Sequence, residues 1–179
     1  EIYQCDWSSD VCSSDLDHRA RPSAGTMQEL STKLIFFFTN KYLLTIHRMP
    51  MDCIEERKDK AAFEHYKLDD LVKILVLRVI STFDAQLDDL ESKAEVIEGR
   101  VFTLKRKNIL REGYYIKRRS SVFRKIFKFT SDVLNKLQTF PAHKFENLSE
   151  MREPLDRLIY YSESIYEDIT DRKSTRLNS

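Results

Sequence analysis

Between Leu68 and Val101 an apolar residue returns every three or four positions: Leu68, Leu71, Leu75, Val79, Phe83, Leu87, Leu90, Ala94, Ile97 and Val101. No proline falls in this stretch, and its first glycine is Gly99. A spacing near 3.6 is the signature of an amphipathic helix with one apolar stripe. At 1.5 Å of rise per residue, one uninterrupted helix would be about 50 Å long. A small globule cannot cover so long a stripe, so the helix is expected to run beside a second long helix.

The next segment supplies that partner. Phe102–Thr103 is the expected turn. Leu110, Tyr114, Val122, Ile126, Phe129, Val133, Leu137 and Phe140 form a second stripe, which Phe123, Phe127 and Leu134 widen. A stripe this wide buries more than one seam. Pro141 closes the segment, and a third helix is expected to start firmly at Pro154, a first-turn residue. Its stripe is Leu155, Leu158, Ser162, Ile165 and Ile169.

Charge sorts the two long segments. Asp84, Asp88, Asp89, Glu91, Glu95 and Glu98 make an acidic face on the first. The second is basic, with Arg111, Lys117, Arg118 and Arg119 at its centre and Glu112 as the only acid between Lys105 and Lys128. An antiparallel hairpin turning near Thr103 predicts Glu95 beside Arg111, and Asp88 and Asp89 beside Lys117 and Arg118. Exposed pairs contribute about 0–1 kcal/mol each, so their expected role is to set register.

Ahead of the helices, Lys33 to Thr39 is an aromatic, apolar run and Lys41 to Arg48 is rich in β-formers, with Asn40–Lys41 between them as a turn signal. The pattern predicts a β-hairpin. Two strands are marginal alone, so the hairpin is expected to be the remnant of a larger sheet or to pack on the helices. Only three Gly and four Pro occur in the chain, too few for a fold of many tight turns. The fold class expected is therefore α+β and predominantly helical: a β-hairpin, a long antiparallel helical hairpin and the start of a further, stalk-like helix.

The two ends read differently. Residues 6–16 (Asp-Trp-Ser-Ser-Asp-Val-Cys-Ser-Ser-Asp-Leu) and 171–179 (Asp-Arg-Lys-Ser-Thr-Arg-Leu-Asn-Ser) resemble translated sequencing-adapter DNA, in reverse-complementary senses. Residues 1–16 are accordingly expected to be adapter-derived and disordered, and 171–179 adapter-derived. The remainder divides into 17–50 (loop and β-hairpin), 51–147 (helical hairpin region) and 148–170 (start of the stalk helix). Setting the ends aside removes Cys5, Cys12 and Trp7 and leaves Cys53 alone, which supports neither a disulfide framework nor a zinc site. The ends hold five acids and three bases, so the whole-chain net charge of +1 becomes +3 for residues 17–170. That is too small to argue for a nucleic-acid partner.

Catalytic constellations are lacking. His47 stands alone, and His65 and His143 have no Cys or His at ligand spacing. No phosphate-binding glycine loop or nucleophile elbow occurs. The adjacent carboxylates Asp69–Asp70 and Asp88–Asp89 point apart on a helix and read as solvated faces. An enzyme is not expected, and no cofactor. The basic segment's interleaved aromatics lie on its buried stripe, which argues against a nucleic-acid surface. No apolar run approaches the roughly 18–20 residues of a membrane span, so the chain itself is expected to be soluble.

Four segments in order resemble the CorA family of divalent metal-ion transporters. Phe36-Phe37-Phe38-Thr39-Asn40-Lys41-Tyr42-Leu43-Leu44-Thr45-Ile46-His47-Arg48 is similar to that family's strand–turn–strand ending in a Thr-hydrophobic-His segment. Asp84 to Glu98, with Leu87-Asp88-Asp89-Leu90-Glu91, resembles the first of its long paired helices, and Leu110 to Leu137, with Arg118-Arg119, the returning basic helix. Tyr160 to Thr170 resembles the opening of the stalk helix that leads into the membrane. The resemblance implies a homopentameric channel for magnesium or another divalent ion, in the cell (inner) membrane. Its cytoplasmic domain senses the metal, and two C-terminal spans carry a Gly-Met-Asn signature. This chain has neither the spans nor the Gly-Met-Asn signature, so it reads as the cytoplasmic part of such a transporter, bound to the membrane through spans that it lacks. Where family members carry Asp-x-x-Asp-His, this chain has Glu163-Ser164-Ile165-Tyr166-Glu167. The resemblance implies Glu163 as a ligand for a regulatory Mg2+ or other divalent cation. Tyr166 is not a hard-cation ligand as a carboxylate is. The alternative reading is a coiled-coil-like interaction domain with no transport role.

Overall fold

The structure is a computed structural model that describes residues 3–9, 31–38, 42–48, 50–51, 54, 66–100, 106–139 and 148–177. Three strands, β1 (Tyr3–Ser9), β2 (Thr32–Phe38) and β3 (Leu43–His47), precede four helices: α1 (Leu68–Ser81), α2 (Asp84–Arg100), α3 (Arg106–Gln138) and α4 (Leu148–Leu177). The α+β, predominantly helical class is as the sequence predicts. The expected turn at Phe102–Thr103 and the ligand-less His65 and His143 lie outside the described residues, as does Cys53.

β2 and β3 form the expected antiparallel hairpin, with Leu34 opposite His47 and Phe38 opposite Leu43. Along β2, Thr32, Leu34 and Phe36 are buried while Lys33 is exposed, the alternation of a strand with one face on a core. The sheet has a third strand that the sequence reading does not contain. β1 pairs antiparallel with β2, Tyr3 opposite Phe38 and Ser9 opposite Thr32. The expectation of disorder over residues 1–16 is thus corrected for Tyr3–Ser9. A free strand edge offers a row of main-chain donors and acceptors, and such pairing tolerates almost any extended segment.

The long stripe after Leu68 makes two helices instead of one. The break at Thr82–Phe83 needs neither Gly nor Pro. The Thr82 amide donates to the Arg78 and Val79 carbonyls, and the Phe83 amide to Ile80, which tightens the last turn. Thr82 Oγ1 also donates to the Val79 carbonyl at 2.7 Å, and Ser81 Oγ to Arg78 at 2.8 Å. Local side-chain bonding of this kind competes with helix propagation. Phe83, at the break, is fully buried and meets Phe127 and Phe123 edge-on, with ring centroids 5.3 and 6.2 Å away.

The helices pack with alternating sense. Gly113 lies beside Ile169, Arg124 reaches Glu163, and Arg152 donates to Asn135 and Gln138, so α3 and α4 are antiparallel. Asp84 meets Arg157 and Glu91 meets Tyr161, so α2 runs parallel to α4. One apolar core gathers Leu34 and Phe36 of the sheet, Val72, Val76 and Val79 of α1, Leu87 and Leu90 of α2, Ile116, Phe123 and Phe127 of α3, and Met151, Leu155 and Ile165 of α4. Helix α4 begins six residues before Pro154, which therefore sits inside it. An interior proline forfeits a backbone hydrogen bond. Tertiary contacts hold the turn ahead of it: Met151 and Leu155 are buried, and Glu150 pairs with Lys73 of α1. The helix also continues beyond residue 170, to Leu177.

Candidate functional site

The chemistry-bearing residues of the fold lie on the two sides of α4. On the first side, α2 presents its acids. Asp84 and Glu91 are seven residues apart, two turns, and so share a face. Asp84 accepts from Arg157 at 3.0 Å, and Glu91 accepts from the Tyr161 hydroxyl at 2.9 Å. Between these contacts lies a cavity of about 330 Å³ lined by Asp84, Leu87, Asp88, Arg157, Leu158 and Tyr161. The hydrogen bond and negative charge of Glu91 raise the Tyr161 pKa above its ordinary value of 10.0, with partial burial and the more distant Asp88 and Glu95 adding to the effect. Tyr161 is thus a neutral donor at physiological pH.

On the other side, α3 presents its cations. The Lys117 ammonium sits 4.9 Å from the centre of the Tyr166 ring, and the Arg124 guanidinium 5.0 Å from it. Arg124 also donates to Glu163 at 3.3 Å. Arg119 donates to the Tyr115 hydroxyl at 2.7 Å and lies over the Tyr115 and Phe123 rings. Arg111 and Arg118 are exposed. A cation over an aromatic face contributes about 0.5–1 kcal/mol where solvent reaches it.

The antiparallel register expected between the two long segments fits the structure, where Phe83 meets Phe123, but the acids and bases with described partners pair elsewhere. Asp89 pairs with Lys93 of its own helix at 2.5 Å, and Asp84 and Glu91 turn to α4. Lys117 and Arg124 likewise turn to α4. The physical reason is a third helix that competes for both faces: α4 lies against α2 and α3 together. Asp88 and Glu95 are exposed, and the Glu98 side chain lies outside the described residues. Sequence reasoning missed Arg157 and Tyr161. Their spacing of four on a helix already placed them on one face, but nothing along the chain marked α2 as their partner.

Within this chain, the partner of Glu163 is a cation, Arg124. Ca2+ and Mg2+ sites assemble several oxygen donors. Around Glu163 the structure assembles cations instead: Arg124 holds its carboxylate, and Lys117 and Arg124 flank Tyr166 one turn on. Among the described residues no group of three or more His, Cys, Asp or Glu side chains could hold a metal ion. Nor is any helix among them long and apolar enough to cross a membrane.

Residues 11–178 match the family model described as CorA-like Mg2+ transporter protein. Among solved structures, the complete CorA magnesium transporter from Methanocaldococcus jannaschii is similar with a TM-score of 0.75 and 18% identity, over 99% of this chain and 56% of that one. The soluble domain of the same transporter gives a TM-score of 0.73 at 18% identity, over 97% of this chain and 68% of that one. The full-length CmaX protein gives 0.70 at 17% identity, over 99% and 56%. The chain thus spans little more than half the length of the complete transporter. None of the curated proteins matches it by sequence.

Proposed function

The chain belongs to the CorA-like Mg2+ transporter family, and from that premise we propose that it is the cytoplasmic regulatory part of a transporter for magnesium or another divalent ion. The family match over residues 11–178 carries this reading. In it, the cytoplasmic domain acts through α4, the stalk helix that leads toward the membrane spans of a homopentamer in the cell membrane. The chain performs no catalysis of its own and binds no nucleic acid. Helices α2 and α3 brace α4 from two sides, through Asp84–Arg157, Glu91–Tyr161 and Arg124–Glu163. A movement of either brace therefore changes the pose of the stalk.

The regulatory ion is Mg2+ or a similar divalent cation, and its action on this chain is electrostatic rather than through a built ligand set. The exposed acids Asp88 and Glu95 support this, since clustered like charge raises the local cation concentration. Reading the intact gene beyond residue 170 tests the proposal. Two apolar spans with a Gly-Met-Asn signature are expected there. A stop codon or an unrelated domain overturns the transporter reading and leaves an interaction domain.

A further inference from the structure

Two solvent-facing stripes remain after the helices have packed, mainly basic on α3, where Asp132 is the exception, and mainly acidic on α4, where Arg157 is the exception and is paired with Asp84. On α3, Tyr114, Lys125, Lys128 and Phe129 are exposed at helical spacing. On α4, Glu153, Asp156, Tyr160 and Glu167 are exposed at steps of three, four and seven residues, which keep to one helix face. Tyr160 is 72% exposed, Tyr114 66% and Phe129 54%, values at which each ring is largely in water. Among the described residues, none of these five charges takes part in an intrachain ion pair. The stripes are also matched in length: at 1.5 Å per residue each extends about 21–23 Å.

We propose that the basic α3 stripe of one copy docks on the acidic α4 stripe of a second copy of this chain. The proposal deepens the self-assembly reading above by naming its faces, and rests on that reading. Charge complementarity selects the partner, and the three exposed aromatic rings supply apolar area that charge alone lacks. Where each stripe meets a different neighbour the contact is head-to-tail, and repetition closes a ring or extends a chain. A membrane surface is the poorer occupant of the basic stripe. The stripe runs along α3, antiparallel to α4, so if α4 leads into the bilayer only one end of the stripe reaches the headgroups.

Sedimentation velocity on the full chain tests this. The wild-type chain is expected to self-associate at low salt and to dissociate as salt is raised. The Lys125→Glu/Lys128→Glu and Glu153→Lys/Glu167→Lys variants are each expected to self-associate at least about tenfold more weakly, with unchanged helical circular dichroism. Mixing the two variants is expected to restore association, since each then meets an opposite stripe. A wild-type chain that is monomeric at low salt, a variant that associates like wild type, or a mixture that stays apart would overturn the proposal. Binding of a monomeric wild-type chain to phosphatidylserine vesicles would overturn it too, in favour of a lipid surface. Stable assembly of both variants overturns these faces while leaving self-assembly, and the transporter reading, standing.

Discussion

Phe83 stands edge-on to Phe127 across the core, ring centroids 5.3 Å apart and planes at 89°. The contact ties the break between α1 and α2 to the middle of α3. Edge-to-face pairs of this kind are stabilising beyond their area, because the positive ring edge meets the negative ring face.

Removing the Phe83 ring therefore leaves a cavity at the junction of three helices. Phe83→Ala is expected to lower unfolding stability by about 3–5 kcal/mol. Urea denaturation measures it. A loss under about 1 kcal/mol would mean that the break is held by the Ser81 and Thr82 hydrogen bonds alone.

The Tyr161–Glu91 bond predicts an alkaline limit. The folded-state pKa of Tyr161 is raised above 10.0. A raised folded pKa means that the contribution is fully present below the unfolded value and lost as pH rises through the folded one. Thermal stability is expected to fall above pH 10 in the wild type, and Tyr161→Phe should show a shallower fall over that range. Equal slopes in the two proteins would show that Tyr161 does not carry the effect.

Thr130 offers a stabilising change. Its hydroxyl is buried with no hydrogen-bond partner. An unsatisfied buried hydroxyl costs about 1–3 kcal/mol. Thr130→Val keeps the shape and removes the polar atom, so a melting temperature raised by a few degrees is expected in calorimetry. No increase would indicate that the hydroxyl finds a partner in solution.

Glu163 makes the regulatory reading testable at one side chain. Its carboxylate is held by Arg124. Glu163→Gln is expected to leave any Mg2+-dependent shift in melting temperature unchanged, whereas Asp88→Asn/Glu95→Gln is expected to reduce it. Loss of the shift in Glu163→Gln would restore that residue as a ligand.

The helical periodicities and the strand pattern of residues 33–48 were legible along the chain because burial of one face imposes a period on the residues themselves. The break at Thr82–Phe83 was not. Phe83 continues the apolar stripe without a flaw, and Ser81 and Thr82 are tolerated inside helices. Strand β1 was equally hidden, since its pairing is a main-chain interaction with an edge that exists only once β2 is in place.

What the sequence by itself determined is which segments have an apolar face, how long each is and which carry acid or base. Those are properties of local order, and they sufficed for the fold class and the family resemblance. What only the tertiary structure decided is who faces whom. Acids of α2 and bases of α3 could have met each other, as their charges invite. Asp84 and Glu91 of α2, and Lys117 and Arg124 of α3, meet α4 instead, through Arg157, Tyr161, Glu163 and Tyr166. The reason is the relative size of the forces: exposed ion pairs are worth about 0–1 kcal/mol, whereas fully burying a single large apolar side chain is worth about 1.5–3 kcal/mol. Core packing places the helices, and the charges then pair with whatever the packing brings near.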